Sequence, residues 1–224
     1  MAARVVTLVP WRPGEAYRDG NWRAAKPNLM ALGYELFTGD SVGKWARAAA
    51  CNAAATAAGD WDIALIADAD TLLEPEAVYR AVERVKVTEA AARPHDRRWM
   101  LALYASKLVR ARGVEALRPK DLRDSAPGGG ALVLHRRAWD LVGGYDERFV
   151  GWGYEDTAMN ISLAVHAGWE LSEGNSYHLW HPVANTMSAT AQANRELLNR
   201  HRAAHAKVID RRSKVAGFDL NTVL

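Results

Sequence analysis

A short apolar segment that runs into two carboxylates constrains the fold of this chain more than any other feature. Ile63–Ala67 reads Ile-Ala-Leu-Ile-Ala, and Asp68 and Asp70 follow it with one residue between them. A continuous apolar run of this length is typical of a strand buried on both faces of a sheet. Because unpaired carboxylates are costly to bury, we expect both at the open carboxyl end of that strand.

Two kinds of chemistry suit the paired aspartates. A hard divalent cation such as Mg²⁺ or Mn²⁺ accepts carboxylate oxygens and keeps positions open for substrate phosphates. The alternative is a helix N-cap, which needs only one of the two side chains. The apolar strand before Asp68 and the helix predicted from Pro75 favour the metal site.

Apolar segments alternate with helical patterns through the first half of the chain. Strands are predicted at residues 5–9, 34–38 and 63–67. Helices are predicted at residues 21–32, with an interruption at Pro27, and at 44–58 and 75–91. This order predicts an α/β fold with a mostly parallel sheet, helices on both faces, and ligands at the carboxyl ends of the strands.

The second half is less regular. Strands are predicted near residues 100–104 and 131–134, and a late strand ends at His178. Helices are predicted at residues 155–167 and 189–206. Glycine-rich turns at 143–144 and 151–153 separate these elements, and functional residues are commonly found in such loops.

Composition limits the class of protein. The chain has 224 residues, of which 49% are hydrophobic and 25% charged, values that fit one globular domain over residues 1–224 and exclude a disordered chain. A single cysteine, Cys51, excludes a disulfide framework. No apolar run is long enough to span a membrane, so we expect a cytoplasmic protein.

Basic residues leave one other function open. The formal net charge is +3, and the last cluster of basic residues runs from Arg195 to Lys214. This cluster is typical of a solvated helix face, but it also suits a nucleic-acid-binding protein.

Two histidines are candidates to complete a metal site. His178 and His181 occur in Tyr-His-Leu-Trp-His-Pro, and imidazole suits Mn²⁺ better than Mg²⁺. The alternative is that one of them only packs in the core. The sequence therefore predicts a metal site from Asp68, Asp70 and at least one of His178 and His181.

Residues 151–156, Gly-Trp-Gly-Tyr-Glu-Asp, form the second candidate constellation. Trp152 offers a flat surface for a sugar ring, while Glu155 can bind hydroxyl groups and Asp156 can take a proton as general base. Helix capping and compensation of the helix dipole are the alternative explanation for the two carboxylates.

Taken together, these segments resemble the GT-A glycosyltransferases, most closely the β-1,4-galactosyltransferase family and the chondroitin polymerase-like family 2 enzymes. Residues 9–12, Val-Pro-Trp-Arg, resemble the Pro-Phe-Arg of that family, and residues 45–53 resemble its Phe-Asn-Arg-Ala and Asn-Val-Gly helix. Residues 68–70 match its Asp-Val-Asp. Residues 143–149 resemble its Gly-Gly-Phe-Asp-Glu-x-Phe turn, and residues 151–156 resemble its Gly-Trp-Gly-Gly-Glu-Asp.

The resemblance implies a role for each matching residue. The first half, about residues 1–127, would bind the nucleotide-sugar and metal, and about residues 128–224 would bind the acceptor and end in a helix. Catalytic roles fall to Asp156, as base, and to Glu155. The implied donor-binding residues are Pro10, Arg12, Asp40, Arg47, Asn52, Asp68, Gly130 and Trp152; the acceptor-binding residues are Trp152, Tyr154 and Glu155; the metal ligands of Mn²⁺ or Mg²⁺ are Asp68, Asp70, His178 and His181.

The implied reaction moves a sugar from a nucleotide diphosphate sugar, expected to be a UDP-sugar, to an acceptor hydroxyl with inversion. A retaining GT-A transferase is the first alternative, since the metal residues serve both outcomes. Tyr154 replaces a glycine of the family and Thr157 an acidic residue, so the acceptor identity does not transfer. A glycan, a protein, a lipid-linked sugar and a nucleobase of a nucleic acid all stay open, and the absence of an anchor fits a bacterial or phage protein.

Overall fold

The computed structural model describes residues 3–125, 129–182 and 187–213. The boundary expected near residues 127 and 128, and Lys214 of the basic cluster, lie outside these ranges. The strands are β1 (Val5–Pro10), β2 (Glu35–Gly39), β3 (Ile63–Ala67), β4 (Thr71–Leu73), β5 (Ala91–Arg93), β6 (Arg97–Met100), β7 (Asp124–Ser125), β8 (Ala131–His135), β9 (Trp169–Leu171) and β10 (Asn175–His178). The α-helices are α1 (Ala16–Met30), α2 (Arg47–Ala58), α3 (Pro75–Thr88), α4 (Leu103–Arg112), α5 (Arg136–Val142), α6 (Glu155–His166) and α7 (Ala189–Ser213).

A six-stranded sheet in the order β2-β1-β3-β8-β5-β9 forms the centre of the molecule. The pairs β1–β2, β1–β3 and β5–β9 are parallel, whereas β8 is antiparallel to both β3 and β5. All five residues of β3 are buried, as its continuous apolar sequence predicts. The α/β class and the mostly parallel central sheet are confirmed, and the antiparallel strand β8 makes the sheet mixed.

Helices cover both faces of this sheet. The alanine-rich α2 packs on one face, with Ala48 and Ala54 against Val6 and Ile66. On the other face, the apolar side of α3 packs against Ile63, Leu65 and neighbouring strands. Because side chains alternate along β3, its even and odd positions supply the two separate cores.

A second, four-stranded sheet in the order β4-β10-β6-β7 lies beside the first and was not predicted. β10 pairs antiparallel with β4 and parallel with β6, so that His178 lies opposite both Thr71 and Met100. This pairing places the end of β10 next to the turn that carries Asp68 and Asp70. The small sheet thereby joins the candidate metal ligands of the two halves.

Two predicted elements differ clearly from the structure. The first helix begins at Ala16 and continues through Pro27, because the buried Ala25 and Leu29 hold this stretch against the core. The strand predicted near residues 100–104 ends at Met100, and the next residues begin α4. Ala105 and Val109 are four residues apart and share the buried face of that helix, which explains the correction.

Some short elements were not predicted at all. These are β4, β5, β9 and α5, which contain between three and seven residues. Segments this short carry too little periodicity to be read from sequence. In the described ranges, none of the helices combines the length and apolar character that crossing a membrane requires.

Gly39 provides a test of how tightly α2 packs on the sheet. A Cβ atom at Gly39 would overlap the carbonyl oxygen of Ala50 and the backbone nitrogen of Ala54. We expect Gly39→Ala to lower the free energy of unfolding by about 1–3 kcal/mol, the usual cost of overpacking. Thermal unfolding measures this change.

Gly20→Ala is the matched control. A Cβ atom there meets only the mobile end of Arg110, at 3.1 Å, within the helical segment α1. Alanine also favours a helix over glycine, so the control should unfold at the same or a higher temperature. Equal destabilisation by both substitutions would contradict close packing at Gly39.

Candidate active site

Three side chains converge where the two sheets meet. Asp70 Oδ1 lies 3.5 Å from His178 Nε2, and Asp70 Oδ2 lies 3.3 Å from His181 Nε2. One ligand atom from each residue falls within 4.8 Å of the others. We call these three residues the metal-binding cluster, because their ligand atoms are close enough to hold one metal ion. Asp68 is not part of it.

Backbone pairing explains how this cluster forms. β10 and β4 are antiparallel, and the N–H of Leu179 donates to the carbonyl of Asp70 at 2.8 Å. The chain then turns away from the strand, because the N–H of Trp180 donates to Ser106 Oγ at 2.7 Å. The turn lets His178 and His181 face the same carboxylate with their rings 5.1 Å apart.

The donor atoms of the cluster fit a divalent cation. His181 Nδ1 lies 2.9 Å from the carbonyl of Pro182, which can only accept, so Nδ1 carries a proton while Nε2 faces Asp70. This is the arrangement that metal-binding histidines usually have. Within the described residues, the buried Asp70 Oδ1 and His178 Nδ1 have no hydrogen-bond partner. Burial also lowers the pKa of His178, which keeps its ring neutral.

Arg47 organises the second part of the site. Its Nε lies 2.6 Å from Asp68 Oδ1, and its Nη1 lies 2.5 Å from Asp156 Oδ1 and 3.9 Å from Glu155 Oε1. The guanidinium also stacks over the ring of Tyr145 at 5.5 Å. One arginine at the start of α2 thus connects the end of β3 with the start of α6.

Burial and charge shift the pKa values of this group in opposite directions. Burial alone would raise the pKa of Asp68, but the positive charges of Arg47 and Arg98 together outweigh it and the pKa is lowered. Burial lowers the pKa of Arg47, yet Asp156 and Asp68 outweigh that effect and hold it well above its ordinary value. Burial, with Asp156 beside it, raises the pKa of Glu155 to about 7.

Asp156 has one oxygen held in place and one that faces the glycine-rich segment before β8. Its Oδ1 accepts from Arg47 and from the hydroxyl of Tyr145 at 3.3 Å. Its Oδ2 lies so close to Gly129 that a Cβ atom there would overlap it. Glycine at position 129 therefore leaves the space that this carboxylate occupies.

Arg12 and Asp40 pair with each other instead of facing the cluster. Arg12 Nε lies 2.7 Å from Asp40 Oδ1, and its Nη1 donates to the carbonyl of Gly43 at 2.8 Å. Arg12 also contacts the carbonyl of Ser41 and lies over the ring of Trp45. This predicted donor-binding pair stabilises the loop between β2 and α2 next to the site.

The remaining predicted donor residues have defined backbone surroundings. Asn52 donates to the carbonyl of Tyr145 at 2.9 Å and accepts from its N–H at 2.9 Å, so it holds the turn at residues 143–145. Pro10 ends β1 opposite Gly39. The carbonyl of Gly130 accepts from the N–H of Asp68 at 2.9 Å, which ties the start of β8 to the end of β3.

Trp152 and Tyr154 lie on the loop before α6. Trp152 is exposed, and the two rings are 6.0 Å apart in an edge arrangement. Tyr154 has a φ angle of +76°, in the left-handed region that side chains rarely adopt. Glu155 and Asp156 follow directly as the first residues of α6.

Sequence reasoning missed several residues near the site. The hydroxyl of Tyr145 supports Asp156, and the signal was available in the turn motif, where tyrosine stands in place of phenylalanine. Arg93 is buried over Trp169, and burial lowers its pKa to about 10. Arg98 lies beside Gly130, and its positive charge lowers the pKa of Asp68. Neither arginine belongs to a recognisable motif.

The comparison with protein families identifies one matching segment. Residues 111–173 match the family described as the N-terminal domain of galactosyltransferase. This segment contains the two glycine-rich motifs at residues 143–149 and 151–156, together with Asp156. A search of curated protein sequences found no match.

Solved structures show the fold. The catalytic domain of Drosophila β1,4-galactosyltransferase 7 in complex with xylobiose superposes with a TM-score of 0.57 and 16% identity, covering 87% of this chain and 80% of that chain. Glucosyl-3-phosphoglycerate synthase from Mycobacterium tuberculosis, in complex with Mn²⁺ and UDP-glucose, gives a TM-score of 0.53 and 17% identity, covering 88% and 79%. Both have the GT-A fold, so the resemblance predicted from the motifs is confirmed at the level of fold.

The raised pKa of Glu155 predicts how stability depends on pH. The folded chain keeps the proton on this carboxyl until about pH 7, whereas the unfolded chain releases it near its ordinary pKa of 4.5. Between these values the folded state binds more protons, so its free energy of unfolding falls as the pH rises. Glu155→Gln does not titrate and should therefore raise the melting temperature more at about pH 8 than at about pH 5.

The control is Glu196→Gln on the exposed face of α7. This substitution should shift the melting temperature equally at both pH values. If Glu155→Gln also shifted the melting temperature equally at both pH values, Glu155 would not be a buried, protonated carboxyl.

Proposed function

We propose that this protein is a metal-dependent glycosyltransferase that moves a sugar from a UDP-sugar to an acceptor hydroxyl. The observation that carries the proposal is that a GT-A fold places two groups side by side. One is the metal-binding cluster of Asp70, His178 and His181. The other is the ion-pair network of Asp68, Arg47 and Asp156, whose Asp68 is two residues from Asp70 in the chain. The cluster provides a place for a cation, and the network provides a carboxylate for proton transfer. Both are at the carboxyl ends of central strands, where ligands of such sheets bind.

Ligands of the structural neighbours support this choice. A mutant of the Drosophila galactosyltransferase was crystallised with manganese, UDP-Gal and xylobiose, and the mycobacterial synthase with Mn²⁺, UDP and phosphoglyceric acid. The aspartate and imidazole donors of the cluster also suit Mn²⁺. We therefore propose Mn²⁺ as the cofactor and a nucleoside diphosphate sugar as the donor.

Asp70, His178 and His181 would hold the metal ion, with Asp68 assigned to Arg47. When bound, a divalent cation neutralises negative charge that develops on the leaving diphosphate. The lowered pKa of His178 favours the neutral ring that this role needs, and His181 directs its Nε2 to the same carboxylate. Arg47 meanwhile keeps the carboxylate of Asp68 ionised, so the site holds its charges before substrates arrive.

Asp156 would act as the base. Arg47 and Tyr145 hold Oδ1 of Asp156, and this orients Oδ2 to take the proton from the acceptor hydroxyl. As the proton leaves, the acceptor oxygen bonds to the anomeric carbon of the sugar and the bond from that carbon to the diphosphate breaks. One displacement of this kind inverts the anomeric centre. The anomeric configuration of the product, read by NMR, decides between inversion and the retaining alternative.

Metal binding can be tested apart from catalysis. Asp70→Ala removes the carboxylate that lies between the two histidines, and we expect its affinity for Mn²⁺ to fall at least about 10-fold. Isothermal calorimetry with Mn²⁺ alone measures this change. Asp60→Ala, at an exposed position, should bind like the wild type, and undiminished affinity in Asp70→Ala would remove this cluster as the metal site.

Asp156→Asn tests the base. Asparagine keeps the shape of the side chain but cannot take the proton, so kcat should fall by about 10²–10⁴ while donor affinity changes little. The assay measures Mn²⁺-dependent release of nucleotide across a panel of UDP-, GDP- and TDP-sugars. Asp140→Asn on the surface of α5 is the control, and unchanged turnover in Asp156→Asn would exclude the proposed role.

A further inference from the structure

Asn194 of α7 is a buried polar side chain that reaches the loop before α6. Its side-chain nitrogen lies 3.1 Å from the carbonyl oxygens of Val150 and Trp152, and 3.2 Å from that of Gly153. The residue is 3% exposed. We call residues 150–154 the acceptor loop, after the acceptor-binding role that the family resemblance implies for Trp152 and Tyr154.

The surroundings of Asn194 are otherwise apolar. Ala191, Leu197 and Leu198 share the buried face of α7, and the two leucines pack against α6. An apolar side chain would serve packing alone equally well. An amide at this position instead directs its two N–H groups at three carbonyls, which fixes the loop relative to the helix.

A second contact holds the acceptor loop from the opposite direction. The N–H of Gly151 donates to the carbonyl of Trp45 at 2.9 Å, and Gly151 forms a parallel bridge with Ala46. Arg47, the next residue, contacts Asp156. The loop is therefore held between α7 and the segment that carries Arg47.

The backbone of Tyr154 shows why the loop needs these contacts. Its φ angle of +76° is unfavourable for a tyrosine and persists only where neighbouring contacts determine the conformation. Its carbonyl accepts from the N–H of Ala158 at 2.9 Å, which begins the hydrogen bonding of α6. A change at Tyr154 would therefore also change the direction of Glu155 and Asp156.

We infer that Asn194 is a positioning residue, which holds the acceptor loop in its left-handed conformation at Tyr154 and so aligns Asp156. The inference rests on the proposed function for its catalytic consequence. The segment that matches the galactosyltransferase family ends at residue 173, so α7 lies outside the match.

The first test is hydrogen exchange of the backbone amides. In Asn194→Ala and in the similarly sized Asn194→Leu, we expect the amides of residues 151–154 to exchange at least about tenfold faster, with α3 unchanged. Leu198→Ala is the control, because it loosens the same helix interface but leaves the three hydrogen-bond contacts between Asn194 and the loop in place. Equal loop exchange in Leu198→Ala and Asn194→Ala would reduce Asn194 to ordinary packing and overturn the inference.

The second test links Asn194 to Tyr154 through a double-mutant cycle. Glycine adopts a positive φ without strain, so in a Tyr154→Gly background the loop needs less support. We expect Asn194→Ala to accelerate loop exchange less in that background than in the wild type. An equal effect in both backgrounds would show that Asn194 does not hold the left-handed conformation.

The third test measures catalysis without an acceptor. For hydrolysis of a UDP-sugar in Mn²⁺, both Asn194 variants should lower kcat at least about tenfold and change the KM for the donor less than about twofold, because the metal-binding cluster lies on other elements. Leu198→Ala should hydrolyse like the wild type. A rise in KM with unchanged kcat would contradict alignment of Asp156. If the wild type neither binds nor hydrolyses any UDP-sugar in Mn²⁺, the proposed function fails while the exchange experiments still decide the role of Asn194.

Discussion

The ion pairs of Arg47 are the interaction on which the site depends. Asp68 ends a central strand and Asp156 begins α6, and a single buried guanidinium contacts both. Without a cation between them, these carboxylates and Glu155 would repel each other in a region with little solvent, where unpaired charge is most costly. Arg47 permits that concentration of acidic groups, although burial, together with the neighbouring Asp156, still raises the pKa of Glu155 to about 7.

The two aspartates after β3 have separate partners, although they are only two residues apart. Asp68 faces Arg47, whereas Asp70 faces the two histidines. The small second sheet produces this division, since the pairing of β10 with β4 brings His178 to the turn. The Asp-x-Asp spacing thus joins two networks. In one, Arg47 compensates the charge of Asp68. In the other, the ligand atoms of Asp70 and the two histidines are close enough to hold a metal ion.

The sequence was most informative where one segment had to satisfy several constraints at once. The buried strand β3 and the helices α2 and α3 were predicted from local patterns and are confirmed. The metal site was predicted from Asp68, Asp70 and at least one of His178 and His181, and the structure brings Asp70 together with both histidines. The second sheet could not be predicted, because its strands are short and their pairing joins residues about 100 positions apart. The partner of Arg12 was missed for a related reason: a motif indicates that an arginine is near the site but not that Asp40 and two carbonyls already bind it. Pro27 predicted an interruption of the first helix, but the packing of Ala25 and Leu29 in the core keeps that helix continuous.

The positions of these groups suggest why the two substrates would depend on different parts of the chain. The metal-binding cluster and Arg47 are fixed by pairing between strands and by the start of α2. The acceptor loop is fixed by Asn194 of α7 on one side and by the backbone of Trp45 and Ala46 on the other, at a point where tyrosine occupies a backbone conformation suited to glycine. A change in α7 can therefore move Trp152 and Tyr154 without disturbing the strands that hold the cluster. Under the proposed function, such a change would alter the contacts with the acceptor and the alignment of Asp156 together, while the metal-binding cluster stays in place.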